Sequence, residues 1–303
     1  MDNSIVFWVG FHLFVLGMVY LDLKVFHRNI KELTFRPIAL CCLFWVGLAL
    51  SFNVLIGSLF GLEKAMTFLT AYLLEASLSI DNLFLFLVVF SFCNIEEVYQ
   101  HRVLCYGILG ALVFRLLFIL LGISLLHQFE WMYFVFGAFL CVSAVFFLRK
   151  EEESQDLNKM WLVRLCKRFF RLDEGFHQGR FFLCHKKKWY ITTLFLALLI
   201  IEVSDIIFAV DSIPAVLAIT SDLFIAYTSN VFAVLGLRSF YFLLSHTKQQ
   251  FSHLKMAIAI ILFFIGVKLI ILPFFKIPSS VTLGFIALTL LTSILISLKL
   301  QKK

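Results

Sequence analysis

Charged side chains are scarce in this chain. They make up 15% of its 303 residues, against about 25% in an ordinary soluble domain. Apolar residues fill 62%, and the mean hydropathy is +0.98. A soluble chain of this length could not bury that much apolar surface, so a soluble enzyme, a DNA-binding domain, a coiled coil and a disordered chain are set aside. The signatures of hydrolytic and nucleotide chemistry are missing too: there is no GxSxG, no HExxH and no Walker A motif. This argues against an enzyme and against direct coupling to ATP hydrolysis. The seven cysteines are odd in number, form no CxxC and fall largely inside apolar runs. They suit small buried hydrophobes better than a disulfide framework. The first apolar run has no basic segment before it and no small-residue cleavage site after it, so it is expected to stay as a span.

What is present is a series of long apolar runs. A spanning helix needs about 20 apolar residues, so nine would use about 180 residues, roughly 60% of the chain. That matches the apolar fraction. The expected architecture is an all-α polytopic membrane protein with spans at 4–21, 37–60, 65–92, 103–126, 131–148, 191–219, 223–244, 256–275 and 280–298. The whole chain reads as one transmembrane domain. Its one long polar segment, 149–190, holds 11 Lys/Arg and 6 Asp/Glu. It reads as a connecting loop with helix around 158–172.

A net charge of +7 would suggest nucleic acid in a soluble protein. Here it has a different reading. With the N-terminus outside, 21 of the 26 Lys/Arg fall in loops on the inner side and two, Lys64 and Lys276, on the outer side. The remaining three, Arg115, Arg238 and Lys268, lie within spans. The positive-inside rule then places the C-terminus and the 149–190 loop in the cytoplasm. The Lys186–Lys188 cluster is expected to meet anionic lipid headgroups.

Landmarks recur along the chain. Glu75-Ala-Ser77 echoes Glu202-Val-Ser204 at an offset of 127, Arg115 echoes Arg238 at 123, and Phe136-Gly137 echoes Ile265-Gly266 at 129. Two three-helix units, about 65–148 and 191–275, are expected. An odd number of spans per unit inverts one against the other, as in many secondary transporters, whose sites lie at the repeat interface.

Five acids lie well inside spans: Glu75, Asp81, Glu202, Asp205 and Asp211. Each costs about 2.5–3.5 kcal/mol at the centre of a lone helix, or about 12–18 kcal/mol together. That rivals the stability of a whole domain, about 5–15 kcal/mol. Such residues must face inward and are functional candidates. Glu75, Ser79 and Asn82 form one stripe at helical spacing, and Ser77 and Asp81 a second. Glu202 and Asp205 share a face, and Asp211 and Ser212 precede Pro214, where a kink or break is expected. Neither the third nor the sixth span contains His or Cys. A purely oxygen-donating set suits a hard divalent cation, Mn²⁺, Mg²⁺ or Ca²⁺, over copper or zinc. The competing reading is a set of buried structural ion pairs with Arg115, Arg238 and Lys268, which would still leave two acids over. Asn230 could donate an amide oxygen and Arg238 could neutralise an acid, or both could serve helix packing. His12 reads as a packed, hydrogen-bonded histidine. Cys166, His177, Cys184 and His185 match no zinc spacing.

The runs Glu75-Ala-Ser-Leu-Ser-Ile-Asp81-Asn82 and Asp205-Ile-Ile-Phe-Ala-Val-Asp211-Ser-Ile-Pro-Ala215 resemble the two signature motifs of the TerC/Alx family of integral membrane proteins. So does Thr228-Ser-Asn230-Val-Phe-Ala-Val-Leu-Gly-Leu-Arg238-Ser239. The runs Gln100-His-Arg-Val-Leu, Tyr133-Phe-Val-Phe-Gly137-Ala-Phe-Leu and Phe264-Ile-Gly-Val-Lys268 follow in order, and the likeness covers about 65–275. The resemblance implies a multi-span membrane protein of bacteria or plastids, linked to manganese export and, by older naming, to tellurium resistance. The expected function is export of a divalent cation, Mn²⁺ foremost, in exchange for protons across a bacterial inner membrane. No cofactor is expected, since the metal is the substrate. The metal set would be Glu75, Asp81, Asn82, Glu202, Asp205, Asp211, Ser212 and Asn230, with Glu202 also placed to carry the proton. The alternative is a scaffold in a metal-stress or tellurium-resistance complex.

Overall fold

Each long apolar run forms one helix in the computed structural model, which describes residues 2–26, 35–149, 172–173, 179–185, 188–246 and 252–300. The helices are α1 Asp2–Phe26, α2 Phe35–Phe60, α3 Leu62–Phe92, α4 Glu97–Gln128, α5 Met132–Arg149, α6 Thr193–Leu217, α7 Leu223–His246, α8 Ser252–Ile271 and α9 Ser279–Leu300. In hydrocarbon a segment must satisfy its own backbone hydrogen bonds, and a helix does so locally. Among the described residues, five stretches are long and apolar enough to cross a membrane by themselves: Arg36–Phe60, Glu97–Gln128, Thr193–Leu217, Leu223–Ser245 and Ser279–Ser297. Phe7–Leu21, Met132–Val145 and Met256–Ile271 are shorter apolar stretches, and α3 carries Glu63, Glu75 and Asp81.

The connections are tight and chemically explained. Gly61 sits between α2 and α3 at φ 93°, a left-handed conformation that only glycine adopts cheaply. Asn94 takes φ 47° after α3, where the amides of Cys93 and Ile95 close onto the carbonyls of Val89 and Phe90. Asparagine is among the side chains that tolerate this region. Asp222 caps α7 through its Oδ1, which accepts from the amides of Phe224 and Ile225, while its Oδ2 accepts from Lys64 Nζ at 2.7 Å.

Helices pack in matched pairs: α3 runs along α7, α4 along α6 and α5 along α8. Helix α2 covers α7 and α3, and α9 covers α8 and α3, so α7 is buried on nearly every side. At Gly137 of α5 and Gly266 of α8 the two backbones meet directly. A Cβ on Gly137 would lie 2.7 Å from the Gly266 carbonyl, and one on Gly266 would lie 2.8 Å from the Gly137 carbonyl. Without a hydrophobic drive between helices in lipid, small residues that let backbones touch hold such pairs together. Phe52, Phe68 and Phe232 join α2, α3 and α7 with ring separations of 4.8–6.1 Å. Leu40, Leu43, Phe44 and Val54 of α2 face outward, as lipid contact requires.

Two expectations are corrected here. Helix α6 is not broken at Pro214. It continues to Leu217, and the amide of Ala218 still reaches the Pro214 carbonyl at 3.0 Å. Proline lies in the final turn, where the hydrogen bond it forgoes is one of the last. The long polar segment also holds a small sheet in the order β1 Leu172–Asp173, β3 Lys188–Thr192, β2 Phe182–His185. The aromatic and β-branched residues on either side of the lysine cluster favour strands. The expected helix at 158–172 falls almost wholly outside the described residues. The sheet docks on the bundle: Arg102 Nη1 of α4 donates to the Gly179 carbonyl at 2.8 Å, and Tyr106 meets Phe181 edge to face. Strand β3 runs directly into α6, whose N-cap Thr192 accepts from Phe195 N and donates to the Arg180 carbonyl.

Candidate functional site

Glu75 of α3, Asp205 of α6 and Asn230 of α7 meet around one side chain, Arg115, which enters from α4. Its fork grips Asp205 twice, with Nε 3.3 Å from Oδ2 and Nη2 3.2 Å from Oδ1. Nη1 donates to Glu75 Oε2 at 2.6 Å and to Asn230 Oδ1 at 3.0 Å. Asn82 Nδ2 approaches Asp205 Oδ1 at 3.4 Å. Arg115 is 2% exposed and Glu75 is fully buried. For Glu75 and Asp205, then, the structural ion-pair reading describes what is seen. Arginine suits this place because its planar fork can serve two carboxylates and an amide together and keeps its charge under all ordinary conditions.

Beside this cluster lies a cavity of about 30 Å³, lined by Glu75, Ser79, Asn82, Arg115, Ser143, Asp211 and Ser212, with Leu78, Phe208 and Leu262 closing its apolar wall. A single water needs about 10–15 Å³ by this kind of measure, so the space admits about two waters or a partly dehydrated cation. Asp211 also lines the cavity, with Oδ1 accepting from Ser143 Oγ at 2.9 Å. Glu75 Oε1, Ser79 Oγ and Ser212 Oγ are buried and have no hydrogen-bond partner among the described residues. Buried polar atoms are nearly always satisfied, so three orphaned oxygens around one small space mark a place where a ligand would be stabilised. Among the described residues, no group of three or more His, Cys, Asp or Glu side chains is gathered as a metal cluster. The donors here are mixed carboxylate and hydroxyl.

Of the eight residues expected at the site, Glu75, Asn82, Asp205, Asp211, Ser212 and Asn230 converge on the cavity or on Arg115. Asp81 lies on α3, but its side chain is outside those described. Glu202 lies apart, on the face of α6 that packs on α4. Its carboxyl group fills a notch at Gly110, where a Cβ would overlap it, and it also lies near Gly107. Its Oε2 is buried without a hydrogen-bond partner. Sequence reasoning missed Ser143, a hydroxyl inside an otherwise apolar span, and gave Arg115 only the role of a partner in structural ion pairs. His12 is packed as expected: Nδ1 meets the Trp8 carbonyl at 2.8 Å and the ring stacks on Tyr227. Of the four loop residues considered for zinc, Cys166 and His177 lie outside the described residues, as do the side chains of Cys184 and His185.

The family model described as "Integral membrane protein TerC family" matches residues 60–303. The chain is 42% identical over 291 residues to "Uncharacterized membrane protein STKORF319" of Myxococcus xanthus, covering 96% of this chain and 91% of that one. It is 40% identical over 288 residues to "Putative membrane-bound redox modulator Alx" of Escherichia coli K12, covering 92% and 90%. A protein of the same name from Photorhabdus laumondii is 39% identical over 309 residues, covering 99% and 97%. No solved structure matches. With the family model spanning most of the chain, this protein belongs to the TerC family of integral membrane proteins.

Proposed function

We propose that this protein exports a divalent cation, Mn²⁺ foremost, in exchange for protons, by alternating access of the cavity between α3 and α6. The observation that carries the reading is the ring of orphaned oxygens: Glu75 Oε1, Ser79 Oγ and Ser212 Oγ, with Asp211 beside them. Hard cations take carboxylate and hydroxyl oxygens, and no thiol or imidazole lines the cavity. Glu75, Asp81, Asp205 and Asp211 are ligands of the ion or exchange protons directly with it, with Asn82, Ser212 and Asn230 as helpers. Glu202, separate from the cluster, is the proton carrier.

Three features support an inverted repeat behind this transport. Exchanging α3 with α6, α4 with α7 and α5 with α8 converts the α3–α7 pairing into the α4–α6 pairing and leaves α5–α8 as itself. The Gly137–Gly266 crossing is reciprocal in the same sense. The shared grip of Arg115 relates Glu75 to Asp205, an offset of 130 that also relates Asp81-Asn82 to Asp211-Ser212. This register replaces the offset of 127 drawn from Glu75 and Glu202. We place the N-terminus outside and the C-terminus and 149–190 segment in the cytoplasm of a bacterial inner membrane, on the asymmetry of basic residues.

The test is manganese efflux from loaded cells with and without the protein. Expression should speed efflux, and the Asp81→Asn, Asp211→Asn pair should abolish the gain while the protein stays in the membrane. Unchanged efflux and tolerance with the native chain would favour the scaffold reading.

A further inference from the structure

We propose that Arg115 is a tethered counter-cation: the transported ion must take Glu75 from it to bind, and Arg115 reclaims Glu75 to expel the ion. The inference rests on the export reading above and adds how the same site releases what it holds.

The hydrogen bonds divide the two carboxylates into an anchor and a movable partner. Asp205 is held by two guanidinium donors and lies within reach of Asn82. Glu75 is held by one donor, Nη1, through one oxygen, Oε2, and that donor is already shared with Asn230. The other oxygen, Oε1, has no hydrogen-bond partner among the described residues and belongs to a side chain that lines the cavity. Breaking the Glu75 contact therefore leaves Arg115 seated on Asp205 with Asn230 still accepting from Nη1. Breaking the Asp205 contact would cost two bonds and leave a buried carboxylate with Asn82 alone.

Charge balance points the same way. Arg115 with Glu75 and Asp205 carries one net negative charge, and Asp211, which lines the same cavity, brings a second. A divalent cation held by Glu75 and Asp211 offsets those two charges while Arg115 and Asp205 remain paired. A buried cluster of net zero charge escapes the desolvation penalty that a charged one pays. The arginine cannot lose its proton, so its claim on Glu75 persists throughout the cycle. A site built only of acids would bind a dication more tightly and release it slowly.

The experiment uses the full-length protein, purified in detergent for Mn²⁺ binding, read from the loss of the free-ion paramagnetic signal, and reconstituted in vesicles for Mn²⁺ flux. Arg115→Gln is expected to bind Mn²⁺ at least tenfold more tightly than the native chain while its flux falls at least tenfold. Arg115→Lys keeps a charge but cannot hold Asp205 with two donors and reach Glu75 as well, so it should bind at least threefold more tightly with an intermediate flux. It carries the test if the glutamine variant does not fold. Binding unchanged or weakened in the folded variants, with flux lost, would assign Arg115 a purely structural role and overturn the inference while leaving export intact. Absence of Mn²⁺ binding by the native chain would instead overturn the export reading, and this inference with it.

Discussion

Replacing Gly266 by alanine tests the crossing on which the α5–α8 pair is built. The new Cβ would lie 2.8 Å from both the Gly137 carbonyl and Cys141 Sγ, and 3.0 Å from the Cys141 amide. Ordinary contact begins near 3.4 Å, so the two backbones must part by several tenths of an ångström. Two of those three neighbours are backbone atoms, which cannot step aside as a flexible side chain would. Overpacking of this kind costs about 1–3 kcal/mol. Alanine also favours a helix over glycine by about 1 kcal/mol, which partly masks the clash. The control is Gly10→Ala, where the added Cβ meets nothing within 4 Å. That variant should be neutral or slightly stabilised, so the difference between the two isolates the crossing. In detergent, thermal unfolding of Gly266→Ala is expected about 2–5 °C below Gly10→Ala, since the shift per kcal/mol falls with chain length to about 1.6 °C for 303 residues. The strain also reaches the site. Ser143 lies six residues beyond Gly137 on α5, about 9 Å along the helix, and holds Asp211 at 2.9 Å. Moving α5 outward should lengthen that bond and reduce Mn²⁺ flux more than it reduces stability. Equal melting of the two variants would refute the close crossing.

Other outcomes follow from the same geometry. Gly110→Ala intrudes on the Glu202 carboxyl group, a flexible side chain that can leave its notch, so the protein should fold. If Glu202 carries the proton, the stimulation of vesicle flux by a pH gradient should drop about tenfold, and an unchanged stimulation assigns the proton elsewhere. The Lys64–Asp222 pair is partly exposed, at 48% and 35%, so Lys64→Ala should cost less than about 1 kcal/mol in denaturation. Asp222→Ala should cost about 1 kcal/mol more, because it also removes the cap of α7, and equal losses would show that the cap contributes nothing. Reporter fusions within 149–190 and at the C-terminus should both read cytoplasmic, and opposite sides for the two would sink the proposed topology.

The helices were legible in the sequence because the forces that make them are local. In lipid each apolar run must close its own hydrogen bonds, so length and apolarity suffice to place α1 to α9 within a few residues. The acids were legible for a related reason: Glu75, Asp205 and Asp211 are too costly in lipid to be incidental. Local pattern misled where the outcome depended on position within an element. Pro214 looked like a break, yet it falls in the last turn of α6, where one lost bond changes little. The match of Glu75 to Glu202 was equally local, and tertiary structure separates the two, setting Glu202 against Gly110 and Glu75 against Arg115. What only the tertiary structure decided is who meets whom. Arg115 reaches partners 40, 90 and 115 residues away in sequence, Ser143 reaches one 68 away, and Gly137 meets Gly266 across two intervening helices. Such pairings follow from how ridges, glycine notches and buried charges of separate helices fit together, and that fit is a property of surfaces that exist only after each helix has formed.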